Sequence, residues 1–263
     1  MRDVNRILGI ALLAALTLPS VIWAEDNPAA PGFDAAGSDA RAVEIADEVM
    51  AALGGRGAWD RTRYITWKFF GNRLHVWDKH TGDIRVEWKD RRSEKQYVAL
   101  MNLNNKEGRA WEEGAEVTEA EALAAALRRA EGAWINDAYW LLMPYKLKDS
   151  GVTLRHLGER ADEAGAMCDV LELTFKEVGR TPQNKYHVFI DKTPRFVTNW
   201  DYWKDRSVDE SRSLGPWQNW RAFGEIMLTD DHGKRKHTDV AVLKSLPKSV
   251  FTEPPAFVLA DHQ

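Results

Sequence analysis

The chain has 263 residues, with 36 lysines and arginines against 40 aspartates and glutamates, a formal charge of −4, and 44% hydrophobic content. That balance argues against electrostatic capture of nucleic acid or of an anionic membrane, and the length suits one large β-rich domain better than two small ones. The lone cysteine, Cys168, excludes an intramolecular disulfide, so stability has to come from packing.

Residues 1–24 read as a secretory signal peptide. Arg2 and Arg6 precede an apolar run from Ile7 to Leu18, Pro19 breaks it, and Ile22 and Ala24 suit cleavage before Glu25. The run is shorter than the roughly 20 residues that span a bilayer, which leaves retention as an anchor as the lesser alternative. A periplasmic location is expected. No cysteine stands at the boundary to carry a lipid. Residues 25–38, rich in Pro, Ala, Gly and acid, read as a flexible linker, and 39–263 as one folded domain.

Ser38 or Asp39 opens a helix whose apolar positions Ala42, Ile45, Val49 and Leu53 recur at helical spacing until Gly54 and Gly55. Alternating segments follow at Arg63 to Phe70, Arg73 to Lys79, Asp83 to Lys89, Lys95 to Leu103 and Lys106 to Trp111, joined by tight turns that make them antiparallel neighbours. Thr118 and Glu121 have capping-box spacing before a helix carrying Leu123, Ala124, Leu127 and Ala130, which Gly132 is expected to end. A second short helix is predicted over Ala133 to Met143, limited by Pro144. Strands resume at Val152 to Leu157, Asp169 to Lys176, Lys185 to Asp191, Arg195 to Trp203, a long one at Trp217 to Thr229, and His237 to Leu243. The tail with Pro247, Pro254 and Pro255 suits an extended segment along a sheet edge. The sum is about eleven antiparallel strands and three helices. This predicts a mainly β, α+β chain built as a single curved sheet, or an unclosed half-barrel, covered by helices.

Several segments carry a family likeness. They are AlaLeuGlyGly at 52 to 55 with Trp59, the hairpin of Trp77AspLys79 and Thr81GlyAsp83, the block TrpIleAsnAspAlaTyrTrpLeuLeuMetProTyrLysLeu from Trp134 to Leu147, and AspValLeuGluLeuThrPhe from Asp169 to Phe175. The chain resembles a family of uncharacterised exported bacterial proteins, itself similar to the LolA/LolB-like superfamily of lipoprotein carriers and receptors. The resemblance implies a LolA-like half-barrel with an apolar cavity for acyl chains. The lipidated N-terminal cysteine of the receptor type is missing here, which favours a soluble binder or carrier.

An acyl-chain cavity needs apolar walls and a few polar groups at its mouth. The wall candidates are Trp67, Trp77 and Trp88 from the strands and Trp134, Tyr139 and Trp140, with Leu141 and Leu142, from the helical block. For any one of them, simple core filling is the plainer expectation. Asn136 and Asp137 lie inside this apolar block and must bond a neighbour, cap a helix or face a ligand. Lys146, with Lys148, is placed to hold an anionic head group or to be solvated.

Catalytic motifs are absent, and no cofactor or metal is expected. Asp230, Asp231, His232 and His237 fall at a predicted hairpin tip and are expected to be solvated. His75 and Asp78 are expected on opposite faces of a strand. The function expected is non-catalytic binding of a hydrophobic ligand, an acyl chain or lipid, by a monomer that meets an envelope or lipoprotein partner transiently. An envelope enzyme using His75, Asp137 and Lys146 is the alternative. A structural or interaction module with a filled core is a third.

Overall fold

The computed structural model describes residues 27–263, so the expected signal peptide lies outside the described residues. Two helices come first, α1 (Ala40–Ala52) and α2 (Gly55–Arg61). Six strands follow: β1 (Tyr64–Phe69), β2 (Arg73–Asp78), β3 (Asp83–Lys89), β4 (Gln96–Asn102), β5 (Gly108–Glu112) and β6 (Ala115–Glu116). The long helix α3 (Ala120–Leu142) continues into a 3-10 turn, Met143–Lys146. Then come β7 (Val152–Ala161), β8 (Met167–Phe175), β9 (Lys185–Asp191), β10 (Val197–Trp203) and β11 (Arg212–Pro216). The last strands are β12 (Arg221–Phe223), β13 (Ile226–Leu228), β14 (Asp231–His232), β15 (Arg235–Lys236) and β16 (Thr238–Leu243).

The molecule is mostly β, and its sheets are antiparallel. One sheet runs β16-β1-β2-β3-β4-β5-β6, a second runs β11-β10-β9-β8-β7, and β12-β13 and β14-β15 are separate small pairs. None closes into a barrel among the described residues. The expectation of a single sheet of about eleven strands is therefore corrected. The reason lies in α3: it carries the chain from edge strand β6 to β7, which opens a new sheet instead of extending the first. The expected long strand at Trp217 to Thr229 is split as well, because Gly224 turns at φ 62° and folds it into the β12-β13 hairpin.

Both sheets face a shared core. Helix α1 buries Ala42, Ile45, Ala46, Val49 and Met50, the stripe its sequence predicts. These residues cluster with Ile65 and Trp67 of β1 and with Leu154, Leu171, Val188 and Ile190 of the second sheet. Asp39 accepts from His156 N at 2.9 Å and makes no side-chain cap, so it ties α1 to β7. Helix α2 has no counterpart among the expected elements. Its approach requires Gly54, where φ is 109° and an added Cβ would lie 2.4 Å from the Glu225 carbonyl oxygen.

Helix α3 is one helix and not two. Gly132 does not end it; the missing side chain admits the Arg180 guanidinium, whose Nη1 lies 2.0 Å from where a Cβ would stand. The cap is Glu119 and not Thr118, its carboxylate accepting from Glu121 N and Ala122 N. The first half of α3 packs Ala126 and Ala130 on Ile84, Val86 and Ala99 of the first sheet. Its last turns put Ala138, Leu141 and Leu142 into the shared core with the second sheet. Residues 27–38, expected as a flexible linker, are tied to the body: Asp34 N donates to Val152 O, Gly32 O accepts from Gly151 N, and Thr153 Oγ1 donates to Asp34.

The C-terminal tail crosses the outer face of the first sheet. Arg85 of β3 is only 1% exposed. Its guanidinium donates to the carbonyls of Val250 (3.0 Å), Glu253 (2.9 Å), Pro254 (3.1 Å) and Pro255, and to Glu87. Glu87 in turn accepts from Phe257 N. Prolines in the tail cannot donate ladder bonds, so a buried cation gathering carbonyls is what holds the segment down. Replacing Arg85 with Met should cost about 2–3 kcal/mol, at the level of lost hydrogen bonds to a charged group. It should also speed tryptic cleavage at Lys244 and Lys248, read by limited proteolysis, while the second sheet keeps its hydrogen-exchange protection.

Candidate functional site

The C-terminal half of α3 organises the interior. Asp137 lies on the helix stripe that also carries Ala130 and Leu141 and is fully buried. Its carboxylate takes a two-pronged bond from Arg73 (Nε 2.7 Å, Nη2 2.6 Å), one from His75 Nε2 (2.8 Å) and one from Asn136 Nδ2 (2.9 Å). Burial pushes the carboxyl upward, but His75 and Arg73 overcome it and hold Asp137 below the ordinary carboxylate range. His75 is fully buried and stacks on Trp67 with ring centroids 4.7 Å apart. Burial outweighs the Asp137 bond and lowers its basicity, so at neutral pH it is an uncharged donor through Nε2.

His75 and Asp137 thus converge, but Lys146 pairs with Asp149 and takes no part. The remaining His75 nitrogen, Nδ1, is buried and has no hydrogen-bond partner among the described residues. The cluster binds α3 to β2. Asp78, expected opposite His75, pairs separately with Arg63 at 2.8 Å.

Beside this cluster, between α3 and the second sheet, lies a cavity of about 450 Å³. Tyr139 and Trp140 of α3 face Phe175 of β8, Tyr186 of β9, and Trp200 and Tyr202 of β10 across it. The rings brace one another: Tyr186 stacks on Trp200 at 5.6 Å, Trp140 meets Trp200 edge-on at 4.9 Å, and Tyr139 lies 5.5 Å from Tyr186. Burial raises the phenols of Tyr139 and Tyr186, the latter to about 12, so both walls are uncharged at physiological pH. Polar groups come from Asn136, Thr181 and Asn184, and charge from Arg180 and Arg212.

Of the expected wall residues, Tyr139 and Trp140 line this cavity, and so does Asn136, one of the two polar residues expected to bond a neighbour, cap a helix or face a ligand. Trp67 and Trp88 are fully or nearly fully buried core residues, and Trp77 packs edge-on to Trp134 at 5.3 Å. The cavity therefore opens against the second sheet and not the first. Phe175, Tyr186, Trp200 and Tyr202 were not singled out by sequence reasoning, although Phe175 and Tyr186 sit on the inward phase of their alternating strands.

A second correction concerns the Asp230 to His237 segment. It does form a tight pair of strands, yet Asp231, His232 and His237 are 6%, 2% and 2% exposed. Asp231 accepts from Lys236 Nζ, Asn219 Nδ2 and Gly233 N, each at 2.9 Å. His237 stacks on Phe70 at 5.0 Å, and His232 meets Trp217 edge-on at 4.7 Å. Burial lowers His232 to about 4 and His237 to about 3, despite the Trp140 carbonyl nearby, and neither Nε2 has a hydrogen-bond partner. No group of three or more His, Cys, Asp or Glu able to hold a metal is found among the described residues.

These neutral imidazoles bind protons less readily folded than unfolded. Stability should therefore be highest above pH 6.5 and fall as pH drops from 6.5 toward about 4, with each ring contributing about 1.4 kcal/mol per pH unit in that window. Urea midpoints measured against pH should show this slope, and it should flatten in the His232→Gln/His237→Gln double variant. In the core, Asp137→Ala should cost about 3 kcal/mol by stranding the cation and imidazole that face it, read from the same urea transitions at pH 7.

No family model and no curated protein matches the chain. Among solved structures it is similar to a DUF1329 family protein from Desulfovibrio piger, at 11% identity over 80% of this chain and 96% of that one, with a TM-score of 0.39. That is a bacterial family, and no enzyme family emerges from these comparisons.

Proposed function

We propose that this chain is an exported periplasmic protein that binds a hydrophobic ligand, an acyl chain or another lipid, without transforming it. The observation that carries the proposal is the cavity of about 450 Å³ walled by aromatic rings from α3 and the second sheet. Its size falls within the range of roughly 300–1,000 Å³ usual for small-molecule sites. The lining mixes aromatic rings with polar groups, Asn136, Thr181, Asn184 and two arginines, which suits a ligand that has both an apolar and a polar part. The lipoprotein-carrier likeness and the secretory pattern at 1–24 agree with the same role in the envelope, and a half-barrel built from the two facing sheets would be its scaffold. A transient envelope or lipoprotein partner would deliver or receive the ligand.

Native mass spectrometry of protein taken from its own cells without detergent should show bound mass in the lipid range, and a fluorescent fatty acid should bind the stripped protein. Ile135 lines the cavity from α3. Ile135→Trp should fill it and weaken probe binding at least about tenfold, at a stability cost of about 1–3 kcal/mol from overpacking. An empty native protein that also fails to take up the probe would overturn the proposal.

A further inference from the structure

The charged residues around the cavity are unusual for this chain. The protein carries a formal charge of −4, yet among the described residues the charged side chains lining the cavity are two arginines, Arg180 and Arg212, with no carboxylate. Both are exposed, which puts them at the solvent-open rim. Neither forms an ion pair with an acid among the described residues. Arg180 Nη1 reaches the Arg128 carbonyl at a long 3.4 Å, and the Arg212 guanidinium lies over the Tyr202 ring at 4.9 Å. Gly132 has no side chain to displace Arg180 from the rim. Asn136 and Asn184 stand on the same lining with amide groups able to complete a polar collar.

From this we propose that the ligand is an amphiphile whose anionic head group, a carboxylate or a phosphate, is held at the rim by Arg180 and Arg212 while its apolar chain occupies the aromatic interior. Guanidinium groups match both oxyanions with short, charge-assisted bonds. The inference rests on the cavity being a ligand site and adds which end of the ligand is charged, with which sign.

The test compares laurate, dodecyl phosphate and methyl laurate, each below its aggregation concentration, by tryptophan-fluorescence titration of the full chain at pH 7.5. Laurate or dodecyl phosphate should bind at least about tenfold tighter than the neutral ester, and the tighter of the two identifies the head group. That preference should shrink as salt is raised and vanish in Arg180→Gln/Arg212→Gln, read as the ratio of anion to ester affinity measured in the same variant. Both positions are exposed, so the variant should keep the wild-type unfolding midpoint. An ester that binds as tightly as both anions overturns the head-group assignment and leaves the cavity reading standing. An anion preference that survives the double variant overturns the role of these arginines. Failure of all three ligands to bind overturns the cavity reading and this inference together.

Discussion

A carboxylate with no exposure, Asp137, fixes the arrangement of this protein. Taking a charge out of water costs several kcal/mol unless partners surround it. Arg73, His75 and Asn136 supply those partners from β2 and from the helix itself. Because β2 belongs to the first sheet and the next turn of α3 packs on the second, the bond sets the rotation of the helix between the two. Helix geometry of about 3.6 residues per turn does the rest. With Asp137 pinned toward Arg73, Asn136, Tyr139 and Trp140 fall on the side that faces β8, β9 and β10. The cavity's position is thus a consequence of where one buried charge finds its counter-charge.

The end of the helix is set by a different constraint. Trp140 would bond the N–H four residues on, but that residue is Pro144, which has none. Met143 N keeps the last regular helical bond, to Tyr139 O, and the chain then tightens into the 3-10 turn Met143–Lys146. The Trp140 carbonyl is left beside His232 and His237, whose neutral rings pack among Phe70, Trp140 and Trp217. One proline thereby couples the helix terminus to the last third of the chain. The Tyr145 hydroxyl strengthens the link: its single proton lies within reach of two carbonyls, Leu53 O at 2.9 Å and Met227 O at 2.7 Å.

Much of the strand inventory was legible, because alternation and tight turns are local signals. β1 to β5 and β8 to β10 begin and end close to where the pattern places them, while β7 starts at Val152 as expected but runs four residues past Leu157 to Ala161. The division into two sheets was not, since it depends on β16 returning to β1 and on β7 leaving β6, pairings that no short window encodes. Gly132 misled for a physical reason. Glycine is a poor helix former by about 1 kcal/mol relative to Ala, yet here the space it leaves is taken by Arg180. Carrying the helical phase through Gly132 would have put Asp137 on the stripe of Ala126, Ala130 and Leu141, marking it as buried and therefore paired. His232 gave no comparable signal, because a two-residue strand has no alternation to read.

Aromatic residues explain why the interior beside α3 stays open instead of collapsing. Aliphatic side chains would repack toward one another, whereas rings with two torsions each keep their planes and brace across a gap. Tyr139, Phe175, Tyr186 and Trp200 contact each other at centroid distances of 5.5 to 6.5 Å, edge-on, tilted or stacked, so each ring blocks the next from tilting inward. Trp67 and Trp88 behave differently because each stacks on a ring of its own sheet, His75 at 4.7 Å and Tyr97 at 5.1 Å, and leaves no space between. The same residue type therefore fills the first sheet and walls a cavity on the second. The rings of the second sheet also stack within their sheet, Tyr186 on Trp200 at 5.6 Å, but they meet Tyr139 and Trp140 of α3 as well, and it is beside these rings from the helix that the cavity lies.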